Sequence, residues 1–174
     1  HASWSSDRYR HYVENIVSRL AIHYGNNPAV IGWQIDNEPG HYGVVDYSEN
    51  AQAKFRIWLQ KKYGTIDKLN DTWGASFWSE TYQNFEQVRL PNQQEVPDKA
   101  NPHAMLDLNR FMADELAGFV NMQADILRRH IHKDQWITTN LIPIFNPVDP
   151  VRIDHPDFLT YTRYLVTGHN QGIG

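Results

Sequence analysis

Three short apolar runs, "AVIGWQID" (29–36), "QWITTNLI" (135–142) and "DFLTYTRYL" (157–165), most constrain what this chain can fold into. Each is rich in β-branched or aromatic residues. None alternates strictly with polar ones, as expected of parallel strands covered on both faces. Helical stripes separate them. Tyr9, Tyr12, Val13, Ile16, Val17, Leu20, Ala21 and Tyr24 recur at helical spacing, with Ser6 as N-cap and Gly25 as the stop. Ala51, Phe55, Trp58, Leu59 and Tyr63 form a second stripe ended by Gly64, and Thr65 caps a shorter helix carrying Ile66, Leu69 and Trp73. Met105, Met112, Leu116, Phe119, Val120, Ile126 and Leu127 predict a long helix from His103 to about His132, whose basic end suits the helix dipole.

Strands that alternate with helical connections pair in parallel, in a doubly wound sheet or a (β/α)8 barrel. Neither GxGxxG nor GxxxxGK[ST] occurs, which removes the main motifs of the doubly wound alternative. A barrel needs about 250 residues, so three strands would be only part of one. Residues 73–102 carry three prolines and scattered aromatics without a sustained period, and are expected to form a long ordered excursion. The chain opens on His and closes on "HNQGIG" after the third run without a closing helix, so we expect 1–174 to be an internal part of a single domain, truncated at both ends.

Composition excludes several classes of partner. The formal net charge of -4 offers no general attraction to nucleic acid or to an anionic membrane, and neither is expected as a partner. No apolar run reaches the roughly 18 residues of a membrane span. There is no cysteine, hence no disulfide framework or thiolate metal site, and the cellular compartment stays open. The nine histidines form no HExxH motif, so no metal and no cofactor are expected.

In parallel α/β folds, ligands bind beyond the carboxyl ends of the strands. "VIGWQIDNEPG" (30–40) brings Asp36, Asn37 and Glu38 to that position. A carboxyl group there loses part of its hydration, which favours the neutral, proton-donating form needed by a general acid. Strand alternation places Gly32, Gln34 and Asp36 on one side and Ile31, Trp33 and Ile35 on the other, facing the helices; continued, it points Glu38 inward with the first set. The triplet before Pro39-Gly40 also reads as a polar turn capping the next segment. Asn140, at the end of the second run, is positioned to face a pocket or to satisfy loop backbone. Tyr161 and Arg163 lie near the end of the third. Trp73, Phe77 and Trp78 could stack on a sugar ring or brace the excursion. Glu80, Glu86, Glu95, Asp107 and Glu115 read as solvated or capping carboxylates.

"IGWQIDNEPG" (31–40) resembles the acid/base segment of glycoside hydrolase family 42, β-galactosidases of a large barrel clan whose fourth strand ends in Asn-Glu. Residues 9–33 are similar to that family's lead-in helix and strand start, Phe55 to Val88 to its long loop after strand four, and "WITTNL" (136–141) to its fifth strand. The resemblance covers most of the chain in the right order. It implies a partial (β/α)8 TIM barrel, about strands four to six with flanking helices. It implies a retaining exo-β-galactosidase acting on terminal β-galactosides or galacto-oligosaccharides, possessing a homotrimeric parent.

By the same resemblance Glu38 is the general acid/base and Asn37 binds the sugar 2-hydroxyl; Asn140, Tyr161 and Arg163 are expected as further substrate contacts from their places at the strand ends. The family's nucleophile, a Glu at the end of strand seven, is expected outside 1–174, so the segment alone is not expected to turn substrate over. Pro39 stands where many members have Tyr, which changes contacts near the leaving group. Alternatives are another β-glycosidase of the same clan and a non-catalytic sugar-binding relative.

Overall fold

The computed structural model describes residues 3–40, 45–92, 101–142 and 148–163. In chain order these form α1 (Asp7–Tyr24), β1 (Gly32–Gln34), α2 (Glu49–Tyr63), α3 (Ile66–Trp73), α4 (Pro102–Arg128), β2 (Trp136–Leu141) and β3 (Phe158–Tyr161), with 3-10 turns at Phe85–Gln87 and Pro150–Arg152. The strands make one parallel sheet in the order β1-β2-β3, with Gln34 opposite Thr138 and Asn140 opposite Thr160. Their carboxyl ends therefore share one edge, where 36–38, Asn140 and Thr162 meet.

Local chemistry sets most helix boundaries. The side-chain oxygens of Ser6, Ser48, Thr65 and Asn101 each accept a backbone N–H of the first turn, replacing a partner the helix cannot supply itself. Gly64 ends α2 at φ 77° and Gly74 ends α3 at φ 60°. The long helix stops at Arg128, short of His132. Its chain then turns back, His132 donating its backbone N–H to the Gly25 carbonyl at 3.0 Å.

α4 is the spine of the structure. At 27 residues it is about 40 Å long and serves two cores. Its first half, through Leu108, Phe111 and Met112, packs with Phe55 and Leu59 of α2, Leu69 and Trp73 of α3, and Val88 and Leu90 of the excursion. Its second half, through Ala117, Val120, Ala124 and Leu127, covers the sheet residues Ile35, Ile137 and Leu141. Each fully buried Leu or Phe contributes about 1.5–3 kcal/mol relative to exposure. The excursion is thus bonded to the same helix that supports the sheet.

Two expectations change here. The apolar stripe of α1 is buried on one flank only: Ala21 is fully enclosed, whereas Tyr12, Ile16 and Leu20 are exposed, Ile16 to 62%. α4 covers the inner flank, and β1 lies at the sheet edge with no strand beside it among the described residues. Asp107, expected to be solvated, is only 2% exposed. It accepts from Tyr63 Oη at 2.6 Å and Trp73 Nε1 at 3.1 Å and pairs with Lys62, so its charge fastens α2 and α3 onto α4. A buried carboxylate needs such partners, since an unpaired one costs several kcal/mol.

One glycine is required by close approach. Gly32 lies under the Trp136 indole, and a Cβ there would stand 2.1 Å from the ring. Trp136 also meets Phe158 with centroids 5.6 Å apart, so three neighbouring positions stack across the same face of the sheet.

Candidate active site

The chain leaves β1 through a tight double reversal. Asp36 has φ 49° and Glu38 has φ 50°, left-handed values that cost a residue with a Cβ about 1 kcal/mol or more each. Strict alternation therefore stops at Ile35, and the expected parity does not hold. Ile35 and Trp33 face the helices as anticipated. The Asp36 side chain, however, turns to α4, where Gln123 Nε2 donates to Oδ2 at 2.7 Å. Asn37 instead joins Gln34 on the inner side, where both reach Asn140. The left-handed turn exchanges the places that a regular strand would give Asp36 and Asn37.

The Asn140 carboxamide is the centre of the strand mouth. Its Oδ1 accepts from Gln34 Nε2 at 3.0 Å and from the Glu38 backbone N–H at 3.2 Å. Its Nδ2 donates to Asn37 Oδ1 at 3.0 Å and to Thr162 Oγ1 at 2.8 Å. Gln34 Nε2 also donates to the Asp36 carbonyl at 3.2 Å. All three strand ends are tied through one side chain.

Glu38 is 8% exposed and lines a cleft of about 580 Å³ beside Asn37, Tyr9, Trp4 and Phe119. Tyr9 and Phe119 stack with centroids 5.6 Å apart and form an aromatic wall. Pro39 and Gly40 close the turn. Gly40 has φ 82°, and a Cβ on it would come within 2.6 Å of Val148. Such a wall with a few polar groups suits a sugar ring, whose faces are apolar and whose rim bears hydroxyls.

Two further carboxylates border the cleft. Solvent reaches part of Asp36, yet the protein packed around its carboxyl raises its pKa above the ordinary value, mainly by desolvation and against the Gln123 hydrogen bond. Burial and the charge of Asp36 together raise Tyr9. Asp46 is engaged by the start of α2, accepting from Ser3 Oγ and, at 2.9 Å, from the Ser48 backbone N–H. Its position fixes the cleft wall.

Of the residues expected from sequence, Asn37, Glu38 and Asn140 are brought together. Tyr161 is exposed and lies on the strand parity of Leu159, which packs against the helix-side core; Arg163 is exposed beyond the strand. It is Thr162, between them, that reaches Asn140. Trp73 braces α3 through Asp107, whereas Phe77 is 81% exposed with its ring edge-on to Trp78. Sequence reasoning placed Gln34 on the inner side of its strand but gave it no partner, and missed Gln123, Thr162 and Asp46 as parts of the site. Polar residues within or just after an apolar strand were the available signal for Gln34 and Thr162. Among the described residues no group of three His, Asp or Glu is gathered to hold a metal ion, and no helix is long and apolar enough to cross a membrane.

A parallel α/β framework with a carboxyl group and carboxamides at its strand mouth belongs to the class that binds ligands beyond the carboxyl ends of its strands, and comparison with known proteins makes the class specific. Residues 1–172 match the family model of glycoside hydrolase family 42, described as β-galactosidase. The β-galactosidase BgaA of a Thermus species is 39% identical over 166 residues, and that of Thermus thermophilus is 38% identical over the same length. In each case 94% of this chain aligns with 25% of the relative. The crystal structure of β-galactosidase from the psychrophilic Marinomonas ef1 superposes with a TM-score of 0.87 at 36% identity, over 94% of this chain and 25% of that one. Gan42B, a GH42 β-galactosidase, gives 0.83 at 32% identity over 97% and 25%. The chain belongs to glycoside hydrolase family 42. It spans about a quarter of the length of the relatives it matches.

Proposed function

We propose that this segment carries the proton donor of a β-galactosidase, Glu38, with Asn37 beside it as the ligand of a sugar hydroxyl. The observation that carries the reading is the Asp36–Glu38 turn: two strained residues hold a nearly buried carboxyl at a cleft on the strand mouth. Such strain persists only where surrounding structure over-determines it, and it clusters at functional sites. The relatives' names supply the substrate class, β-galactosides.

The three strands would be strands four to six of a (β/α)8 barrel forming a single domain with sequence outside 1–174. The parallel order, the open β1 edge and the uncovered flank of α1 support this, since a preceding strand and helix would close both. In a retaining mechanism Glu38 protonates the glycosidic oxygen as the bond to the anomeric carbon breaks. A second carboxylate, about 5 to 5.5 Å from the first, takes the sugar as a covalent ester. Glu38, now ionised, removes a proton from the water that attacks the ester, and regains its acid form. That nucleophile would lie outside 1–174.

The test uses the full-length enzyme. Glu38→Ala should lower turnover of an aryl β-galactoside, and added azide should restore part of it while yielding β-galactosyl azide, because azide attacks the ester without needing a base. Unchanged turnover in Glu38→Ala, or loss without azide product, would contradict the assignment.

A further inference from the structure

The geometry points to Asn140 as a positioning residue that fixes which atom of Asn37 faces the substrate, and not as a sugar ligand itself. This rests on the functional reading above. A carboxamide has two donor hydrogens and two acceptor sites. Asn140 spends all four within the chain, on Gln34 and the Glu38 N–H through Oδ1 and on Asn37 and Thr162 through Nδ2. None is left for a sugar.

The orientation of the amide follows from one unambiguous donor. A backbone N–H can only donate, so the atom facing the Glu38 N–H must be the oxygen of Asn140. The opposite atom is then Nδ2, and what it meets on Asn37 must accept, which makes that atom Oδ1. One of the two acceptor sites of the Asn37 oxygen is thereby taken, and the NH2 group at the other end of the carboxamide keeps both hydrogens for the cleft that Asn37 lines. Asn37 therefore offers the cleft chiefly a donor, to which a sugar hydroxyl accepts. A single side chain on β2 thus sets both the backbone position of Glu38 and the polarity of Asn37. Gln34 and Thr162 hold Asn140 from the strands on either side.

A double-mutant cycle in the full-length enzyme tests this. If Asn140 works through Asn37, Asn140→Ala should reduce kcat/KM for an aryl β-galactoside by about 10- to 100-fold, mainly in kcat, the scale expected when reacting groups are misplaced by about 1 Å. On an Asn37→Ala background the same change should cost at least fivefold less. Asn140→Asp keeps the shape and the acceptor for Glu38 but loses the donors to Asn37 and Thr162. It should show the same dependence on Asn37, which provides the result if the alanine variant fails to fold. Losses that multiply independently in both series, or a loss in KM alone, would overturn the proposal. Those outcomes are distinct from failure of the functional reading, which would appear as full activity in Asn37→Ala and Glu38→Ala.

Discussion

Asp36 shows how much of the site depends on a single backbone reversal. The pair Asn37-Glu38 was legible because it ends an apolar run, and position beyond a strand's carboxyl end is a local property of the sequence. Its geometry was not legible. A left-handed Asp36 is not dictated by sequence alone; it is held by Gln34 and Gln123, and the turn it opens is held at Glu38 by Asn140, Gln123 lying 87 residues from Asp36 and Asn140 lying 102 from Glu38. Only the folded chain brings those groups together. The raised pKa of Asp36 gives a prediction at this scale. The folded state binds that proton more tightly than the unfolded chain, so the contribution of Asp36 to stability is greatest below the ordinary value of 3.8 and is lost as pH rises through the elevated folded value. Asp36→Asn keeps an acceptor for Gln123 and cannot ionise. Its thermal midpoint should therefore gain on the unaltered protein as pH rises from about 3 into the neutral range, whereas a constant difference at every pH would contradict this origin of the shift.

At the level of elements, helix caps and glycine stops were read correctly from sequence because they act over four residues: Ser6, Thr65 and Gly64 stand where those rules put them. The α1 stripe was read too generously. Periodicity shows which face is apolar but not what covers it, and Ile16 has no cover among the described residues. The strands were located but overextended, since β1 is hydrogen-bonded as a strand only over Gly32–Gln34 before the turn takes over. Asp107 was misjudged for a related reason: its partners Tyr63 and Trp73 come from other helices. Burial and the adjacent Asp107 charge push Tyr63 up to about 12. The unfolded tyrosine ionises near 10, so the folded state retains its proton over a window in which the unfolded chain has lost it. The contribution of Tyr63 to stability is complete below that window and declines as pH rises through it. Tyr63→Phe should flatten this alkaline decline in denaturant titrations, while costing about 1–3 kcal/mol at neutral pH because Asp107 loses a buried donor. An unaltered alkaline slope would show that Tyr63 is not its source.

For the whole molecule, the question is how a quarter-length segment relates to a complete reaction. α4 joins the excursion and the sheet into one body, so the wall of the cleft, the Tyr9–Phe119 stack and the strand mouth are positioned together. We propose that this arrangement holds a proton donor and a hydroxyl ligand, with the nucleophile supplied by sequence outside 1–174, and that Glu38 delivers the proton to the leaving group. The most direct measurement is kcat/KM for aryl β-galactosides of graded leaving-group acidity, in the full-length enzyme and its Glu38→Ala variant. Proton donation by Glu38 predicts little loss for the most acidic phenols, which leave without protonation, and a loss that grows to about 10²–10⁴-fold for poor leaving groups. An equal loss across the series would contradict it.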